Sequence, residues 1–508
     1  MLQKIIRFSL KNKILVGIFT AILIGVGMYS LNNIPIGAVP DITNNQVQVI
    51  TTSQNLSTQD MERYITYPIE LEMANLPGVK EIRSVSKFGL SVVTIVFNES
   101  LGTYLPRQLI SEKINAAKES IPKDFGSPIM GPISTGLGEI YQYTLETEPG
   151  YEDQYDATQL RSIQDWVVKR ELSGIDGVVE INTWGGYLKQ YEVAINSAKL
   201  RALNIKISDI LTALQANNSI SGGGYIEKND QVLFIRGDGK IDSLDKIRNT
   251  VVSIKGDKPI YIKDIAQVDF GHAPRYGAIT GNDEGEKVLG QIMMLKGANS
   301  QKVINSVKER VAEIQSNLPE GVKINPFLDR SELISKTTFT ITENLVLGFI
   351  IVIFVVVLIL GDIRSGIIVA SVIPLCLLFT LTMMYIFKID ANLMSLGAID
   401  FGIIIDGAVI IVEYCAFEIT QRFRKYNQLN KEEIRNLNDQ ATFVSASKMM
   451  GSAIFGQVII LIVFLPILSL TNVEGKMFRP MALAFSFAII GAIILCLTYV
   501  PVAASLFY

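Results

Sequence analysis

Three carboxylates lie within one strongly apolar stretch of the sequence. Asp400, Asp406 and Glu413 interrupt a run that is otherwise rich in isoleucine, valine, glycine and alanine. A charged acid near the centre of a bilayer costs about 2.5 to 3.5 kcal/mol, so such residues usually mark ion or proton paths. At about 100° per residue, Asp406 and Glu413 fall within about 20° of each other, and Asp400 lies about 120° around the helix. This pattern predicts a proton relay; an acid pair satisfied by neighbouring polar groups is the structural alternative.

A relay of this kind needs a membrane-spanning helix, and the sequence predicts six of them. The chain has 508 residues, of which 49% are hydrophobic, a composition typical of a membrane protein. A spanning helix needs about 18 or more predominantly apolar residues. The predicted spans are residues 14–31, 344–361, 365–387, 391–414, 449–473 and 480–508.

Basic residues orient these spans. Lysines and arginines cluster before the first span and between the fourth and the fifth, which places both segments on the cytoplasmic side. The first span reads as an uncleaved anchor, because its apolar run is long and no small-residue cleavage site follows it. We therefore expect a cytoplasmic N-terminus and first helix over 1–31, a periplasmic region over 32–340, and helices two to six over 341–508.

Other residue types exclude several classes of function. Cys376, Cys415 and Cys496 all lie in or beside predicted spans, and His272 is the only histidine. The exported region therefore has neither the thiols nor the histidines for a Cys- or His-rich metal site, and a Ser-His triad would depend on one residue. The net charge of −3, without a long basic run, disfavours nucleic acid as a partner. No Gly-rich phosphate loop ends in Lys-Ser/Thr, so ATP is not the expected energy source.

Alternating and helical patterns in the exported region predict two split β-α-β units. Each unit has a strand, a helix, two strands and a second helix. The first is assigned to residues 46–53, 58–76, 79–85, 90–98 and 105–121, and the second to 139–146, 157–175, 178–184, 188–195 and 208–216. Further strands at 259–268 and 288–294 and a helix at 300–317 are predicted to return the chain to the membrane.

A glycine-rich segment, residues 217–236, follows the second unit. It leads into alternating residues with a polar tip at Lys228, Asn229 and Asp230. The pattern predicts a projecting hairpin, with an ordinary mobile loop as the alternative.

Several of these features together resemble the resistance-nodulation-division superfamily, and more narrowly its heavy-metal efflux branch of the CzcA and CusA type. They are the pattern Asp400-Phe-Gly-x3-Asp406-Gly-Ala-x3-Val-Glu413, the order of one span, a large exported region and five spans, and the segments at 40–49, 67–70, 89–94 and 135–143. The multidrug branch carries two adjacent aspartates where this chain has Asp406 and Gly407, which favours metal ions over drugs. The triple-acid pattern resembles that of pumps for divalent cobalt, zinc and cadmium rather than copper or silver.

The resemblance implies an α+β membrane protein with ferredoxin-like porter subdomains and a docking subdomain. Gly402 and Gly407 are expected to pack helices near the relay, and Lys228, Asn229 and Asp230 are expected to form a trimer docking loop. The implied cargo is a divalent metal ion exchanged for protons, without a resident cofactor; its ligands are not predicted. The family usually has asparagine after the glutamate, whereas Tyr414 and Cys415 follow Glu413 here.

The resemblance also implies an assembly in the bacterial inner membrane. Members of the branch are homotrimers surrounded by lipid, joined to a periplasmic adaptor (membrane fusion) protein and an outer-membrane channel. They are about twice as long as this chain, which therefore looks like an amino-terminal half; the missing C-terminal half would supply the main periplasmic metal site and a basic partner for the acids.

The sequence thus predicts a secondary active transporter and not an enzyme: a proton-driven exporter of divalent heavy-metal cations. A multidrug pump of the same superfamily remains an alternative. So does a non-transporting membrane scaffold or sensor, in which the spans only anchor the exported region, and so does a protein-export accessory.

Overall fold

The structure is a computed structural model of the chain, and it describes residues 2–37, 39–53, 56–275, 277–397, 401–423 and 431–508. Helices at both ends of the sequence form one bundle, and residues 36–329 form a mixed region of strands and helices. The helices are α1 Leu2–Lys11, α2 Lys13–Asn33, α3 Thr58–Met61, α4 Tyr67–Ala74, α5 Tyr104–Ser120, α6 Ala157–Ile163, α7 Lys169–Leu172, α8 Ser197–Ala202, α9 Ile207–Ala216, α10 Leu244–Arg248, α11 Ile262–Ile265, α12 Ser300–Asn317, α13 Arg330–Leu360, α14 Ile363–Ile386, α15 Leu393–Gly397, α16 Phe401–Phe423, α17 Lys431–Val463, α18 Leu465–Leu468, α19 Asn472–Leu497 and α20 Tyr499–Phe507.

Short irregular turns link some of these helices. Two are π-helical, at Glu62–Thr66 and Gln164–Val168, and two are 3-10 turns, at Glu99–Leu101 and Lys123–Phe125. The strands are β1 Ile36–Gly37, β2 Gln46–Thr52, β3 Val79–Lys87, β4 Leu90–Phe97, β5 Ile129–Met130, β6 Glu139–Thr147, β7 Val178–Trp184, β8 Lys189–Ile195, β9 Ile220–Lys228, β10 Gln231–Asp238, β11 Val251–Lys255, β12 Lys258–Tyr261, β13 Ala266–His272, β14 Val288–Met294, β15 Val322–Asp329 and β16 Ala391–Asn392.

Within the described residues, six helices are long and apolar enough to cross a membrane. They run over Lys13–Asn33, Arg330–Ile359, Ile363–Ile386, Met394–Gln421, Arg435–Leu468 and Asn472–Leu497. The fifth and sixth begin before the predicted residues 449 and 480, because the helices continue through polar residues that an apolar window leaves out. Pro480 lies inside α19 instead of starting the span.

Two four-stranded sheets organise the mixed region. Their strand orders are β3-β4-β2-β5 and β15-β6-β14-β7. Each sheet thus combines two β-α-β units, whose strands are β2 with β3 and β4 with β5 in the first sheet, and β6 with β7 and β14 with β15 in the second. In β2 the residues alternate between buried and partly buried, as expected for a strand with one face covered by helices. Each sheet has its own buried apolar cluster, and the membrane helices share a third cluster centred on α14, α16 and α19.

The predicted composition of the second unit is wrong. Residues 188–195 were assigned as its third strand, but β8 pairs along its whole length with β13 in a separate two-stranded sheet. The remaining strands of the second sheet are β14 and β15, which come after the inserted segment. Consecutive strands pair or neighbour only about two-thirds of the time, so a local pattern locates a strand without giving its partner.

The predicted hairpin is present as β9 and β10. Lys228 pairs with Gln231, so Asn229 and Asp230 form a two-residue turn, with φ of 49° and 60°. Positive φ at both central residues is the type I′ pattern that fits the twist of paired strands. Every residue of both strands is exposed, which makes the hairpin a projection without a core of its own.

Candidate functional site

Helix α16 presents its acids and its apolar residues on opposite sides. Asp406 and Glu413 are both exposed, whereas the residues that face the bundle are buried. Those buried residues are Ile404, Ile405, Gly407, Ala408, Ile411, Val412, Cys415 and Ile419. At about 100° per residue, most of these buried side chains project from the side of the helix opposite the acids. The described part of the chain thus packs the back of the helix and leaves its acidic face exposed.

The two described acids are too far apart to hold one ion together. Seven residues at about 1.5 Å each separate Asp406 from Glu413 by about 10.5 Å along the axis. Among the described residues, no group of three or more histidine, cysteine, aspartate or glutamate side chains is arranged to bind a metal. The geometry fits two successive proton sites better than one metal site. Asp400 lies outside the described residues, and its place in the relay stays a prediction.

The outer end of the acid-bearing helix is held by a pair of reciprocal hydrogen bonds. The backbone N–H of Asn392 donates to Ser395 Oγ at 2.9 Å, and the backbone N–H of Ser395 donates to Asn392 Oδ1 at 2.8 Å. Both residues are buried. Just before them, Ala391 pairs in parallel with Ile36, so β16 and β1 join the start of this segment to the chain that leaves α2.

α16 packs closely against its neighbours at Gly407. A Cβ atom there would lie 3.0 Å from Gln457 Nε2 on α17 and 3.3 Å from Cys496 Sγ on α19. Such distances are tighter than ordinary van der Waals contact, so a larger residue would require these side chains to shift. Gly402, the other glycine expected near the relay, is on the exposed, acid-bearing side.

At the inner end, Tyr414 contacts α17. Lys448 Nζ donates a hydrogen bond to Tyr414 Oη at 2.8 Å, and Ser445 Oγ donates to the Tyr414 carbonyl at 3.4 Å. The sequence placed Lys448 in a cytoplasmic connection, whereas it lies within α17. The departure from asparagine at position 414 therefore brings a phenol and an ammonium group together beside Glu413.

A large cavity lies where the bundle meets the first sheet. Its volume is about 1330 Å³, and its wall includes Asp41, Glu99, Asp390, Lys476 and Arg479. Burial raises the pKa of Asp390, and the negative charge of Asp41 raises it further. Asp41 and Asp390, which come from distant segments of the chain, thus line one large cavity near the outer end of the acid-bearing helix.

An ion pair crosses the same junction. Lys476 Nζ, near the start of α19, lies 2.8 Å from Glu99 Oε1 and donates to the Thr43 carbonyl at 2.6 Å. Burial acts to raise the pKa of Glu99, but hydrogen bonds from Lys476 and from the Asn45 backbone N–H outweigh it and lower that pKa below its ordinary value. The sixth span is thereby tied to the edge of the first sheet.

Two residues beside the relay were missed by the sequence analysis. Lys448 was treated as a loop cation, and Gln457 was counted as part of an apolar run. The available signal for Gln457 was an amide within Phe455-Gly-Gln-Val-Ile-Ile, where lipid-facing or packing residues would be apolar. The predicted docking loop at Lys228, Asn229 and Asp230 belongs to a different region and is not brought to the relay.

Comparison with known proteins decides the family. The model of the AcrB/AcrD/AcrF family matches residues 5–508. The chain belongs to this family. Within the AcrB/AcrD/AcrF family, the cation efflux system protein CzcA of Alcaligenes sp. is 45% identical over 511 residues, which is all of this chain and 48% of that protein. The cobalt-zinc-cadmium resistance protein CzcA of Cupriavidus metallidurans gives the same identity and coverage.

A solved structure agrees with these relatives. A crystal structure of a heavy metal efflux pump matches with a TM-score of 0.86 and 33% identity, over 98% of this chain and 48% of that one. The chain thus belongs to the heavy-metal efflux branch of the resistance-nodulation-division superfamily and shares its mixed helix-and-sheet fold. It spans about half the length of the curated relatives it matches.

Proposed function

We propose that this chain is part of an inner-membrane pump that exports divalent heavy-metal cations in exchange for protons. Asp406 and Glu413 take up protons from the outside, lose their charge, and allow α16 to move against a facing helix bundle. Asp400 serves the outer part of the same path.

One observation carries this proposal. Two titratable groups, Asp406 and Glu413, occupy one exposed face of a membrane helix whose opposite face is buried against α17 and α19. Acids on a face exposed to lipid are costly, so this face needs a partner surface. We infer that the partner is a second six-helix half of the pump, which supplies a basic group that pairs with the acids in one state.

The class of cargo follows from the relatives and from one residue. Two relatives at 45% identity are a cation efflux protein and a cobalt-zinc-cadmium resistance protein. The residue after Asp406 is Gly407, and not the second aspartate expected of a multidrug pump. We therefore propose cobalt, zinc or cadmium as the class of cargo.

The remaining assignments complete the proposal. Residues 32–340 lie in the periplasm, where the two sheets form ferredoxin-like porter subdomains and the segment with β8 to β13 forms a docking subdomain. The β9–β10 hairpin reaches a neighbouring protomer of a homotrimer, which works with a periplasmic adaptor and an outer-membrane channel. The junction cavity beside Asp41 and Asp390 provides an opening through which protons reach the relay.

Neutral replacement of the acids tests the proposed function. In bacteria that carry the complete pump, Asp406→Asn and Glu413→Gln are each expected to abolish zinc and cobalt resistance, because each removes a titratable proton and little volume. Protein level and assembly should persist. The readout is growth on graded metal concentrations.

Glu474→Gln is the matched control, since Glu474 is an exposed acid at the start of α19 and outside the relay. It should leave resistance unchanged. Full resistance in either relay variant would refute the assignment and favour a scaffold role.

A further inference from the structure

Gln457 carries a buried amide without a hydrogen-bond partner in the described part of the chain. Its side chain lies on α17, the residue is only 4% exposed, and both Nε2 and Oε1 lack a partner there. Buried amides are nearly always hydrogen-bonded, so an amide with both ends unsatisfied calls for an explanation.

Packing does not explain an amide at this position. The apolar cluster of the bundle that α17 joins is mainly aliphatic or small, and a methionine, which is close to glutamine in length, would add to it without an unsatisfied polar group. Cys496 Sγ is the nearby side-chain atom from α19, and a thiol is only a weak partner. An amide costs stability here, which implies that it forms a hydrogen bond in another state of the protein.

The amide lies against the relay helix. Its Nε2 would be 3.0 Å from a Cβ on Gly407, the residue that directly follows Asp406. The Asp406 side chain projects about 100° around α16 from Gly407, so a hydrogen bond between its carboxyl group and the amide requires rotation of the two side chains or a bridging water. The small size of Gly407 lets the Gln457 amide lie against this part of α16.

An amide suits a carboxyl group that gains and loses a proton. Its NH₂ group donates to a carboxylate, and its carbonyl oxygen accepts from a protonated carboxyl.

We propose that Gln457 is a positioning residue of the relay, whose amide hydrogen-bonds the Asp406 carboxyl group in a state of the transport cycle other than the one described here. This inference rests on the proposed proton relay. It assigns to α17 the task of holding Asp406 in place while its charge changes.

The test uses the complete pump in proteoliposomes with an imposed proton gradient, and measures zinc transport against zinc concentration. Gln457→Met keeps the length of the side chain and removes the amide. We expect kcat to fall about tenfold or more, as for loss of a hydrogen bond to a charged group, with KM within about twofold. The thermal midpoint of unfolding should equal or exceed that of the unmodified pump, since an unsatisfied amide has been removed.

Ser447→Ala is the matched control. It removes a buried hydroxyl of α17 that has no partner among the described residues, about 15 Å along the helix from Gln457, and should leave kcat unchanged without lowering the unfolding midpoint. Gln457→Asn retains an amide on a shorter stem and should give a kcat between those of the unmodified pump and the methionine variant.

Each outcome decides a specific claim. An unchanged kcat in Gln457→Met overturns the positioning role, and so does a loss of kcat that parallels a lower unfolding midpoint in both Gln457 variants. Asp406→Asn in the same assay separates this inference from the proposed function: if that variant still transports, the relay itself is wrong. If Asp406→Asn is inactive and Gln457→Met is fully active, only the role of Gln457 is wrong.

Discussion

At the scale of residues, the proposed function depends on how one helix presents two carboxylates. Asp406 and Glu413 lie on the exposed face of α16, and Gly407 lets α17 and α19 approach the other side. Glycine matters at this position as the acids do at theirs, because Gln457 and Cys496 already occupy the space beside it.

A larger side chain at Gly407 should therefore be costly. Gly407→Val is expected to destabilise the protein by about 1 to 3 kcal/mol through overpacking, and to reduce transport by displacing α17. The measurement is thermal unfolding in detergent together with metal resistance. Gly25→Val on α2 is the control, since nothing lies within 4 Å of a Cβ at Gly25. Equal stability of the two variants would contradict the close packing at Gly407.

The sequence predicted some residues of the site and missed others for a physical reason. Asp406 and Glu413 are predictable, because a carboxylate in an apolar run has few explanations other than function. Gln457 is uncharged, so it stands out less from its apolar span than a carboxylate does. Its proposed role depends on its contact with Gly407, and the sequence of α17 alone does not show that contact. Lys448 was missed because α17 begins at Lys431, well before the apolar part of the helix.

At the scale of elements, two long-range contacts lie where the chain leaves the membrane helices. The parallel pairing of β1 with β16 connects the chain after α2 to the start of the acid-bearing segment, and Lys476 connects α19 to Glu99 and Thr43, which flank strands of the first sheet. The second contact thus ties the sixth span to the first sheet. Neither contact follows from local periodicity, because each joins residues that are hundreds of positions apart.

The ion pair at this junction should depend on pH. The pKa of Glu99 is lower in the folded state than its ordinary value of 4.5, so its contribution to stability is present above that value and is lost as pH falls through the folded-state pKa. Glu99→Gln is expected to lower the free energy of unfolding at pH 7, by no more than about 1 kcal/mol because the Glu99 side chain is half exposed. The difference should shrink as the pH falls through the folded-state pKa of Glu99 and vanish below it.

Glu81→Gln serves as the control for this prediction. Glu81 lines the same cavity, and its carboxylate lies 3.5 Å from Arg83, with both side chains more than half exposed. It should not alter the midpoint at either pH. A Glu99→Gln effect that persists at low pH would show that the contact is not an ion pair.

The assignment of residues 188–195 to the second sheet was wrong for a related reason, because local periodicity does not show which distant strands pair. The positions of β6, β7, β14 and α12 were predicted to within about two residues, in keeping with clear periodicity. The sheet assembles across a long insertion that contains the exposed hairpin, and pairing over such a distance is decided by which apolar faces bury each other. The pattern of one strand holds no information on that choice.

At the scale of the whole molecule, this chain spans about half the length of its curated relatives, and its relay helix exposes an acidic face. A complete transport path requires a facing surface that pairs with those acids. In the proposed function, proton uptake at Asp406 and Glu413 and export of a divalent cation are one coupled process.

Counter-flow of protons and metal tests that coupling most directly. The complete pump is reconstituted in vesicles that contain a pH-sensitive dye, and a zinc gradient is imposed. We predict that zinc movement drives a proton flux in the opposite direction, and that Asp406→Asn and Glu413→Gln each eliminate both fluxes while Glu474→Gln retains them. Zinc movement without proton flux, or wild-type coupled fluxes in Asp406→Asn, would contradict the account.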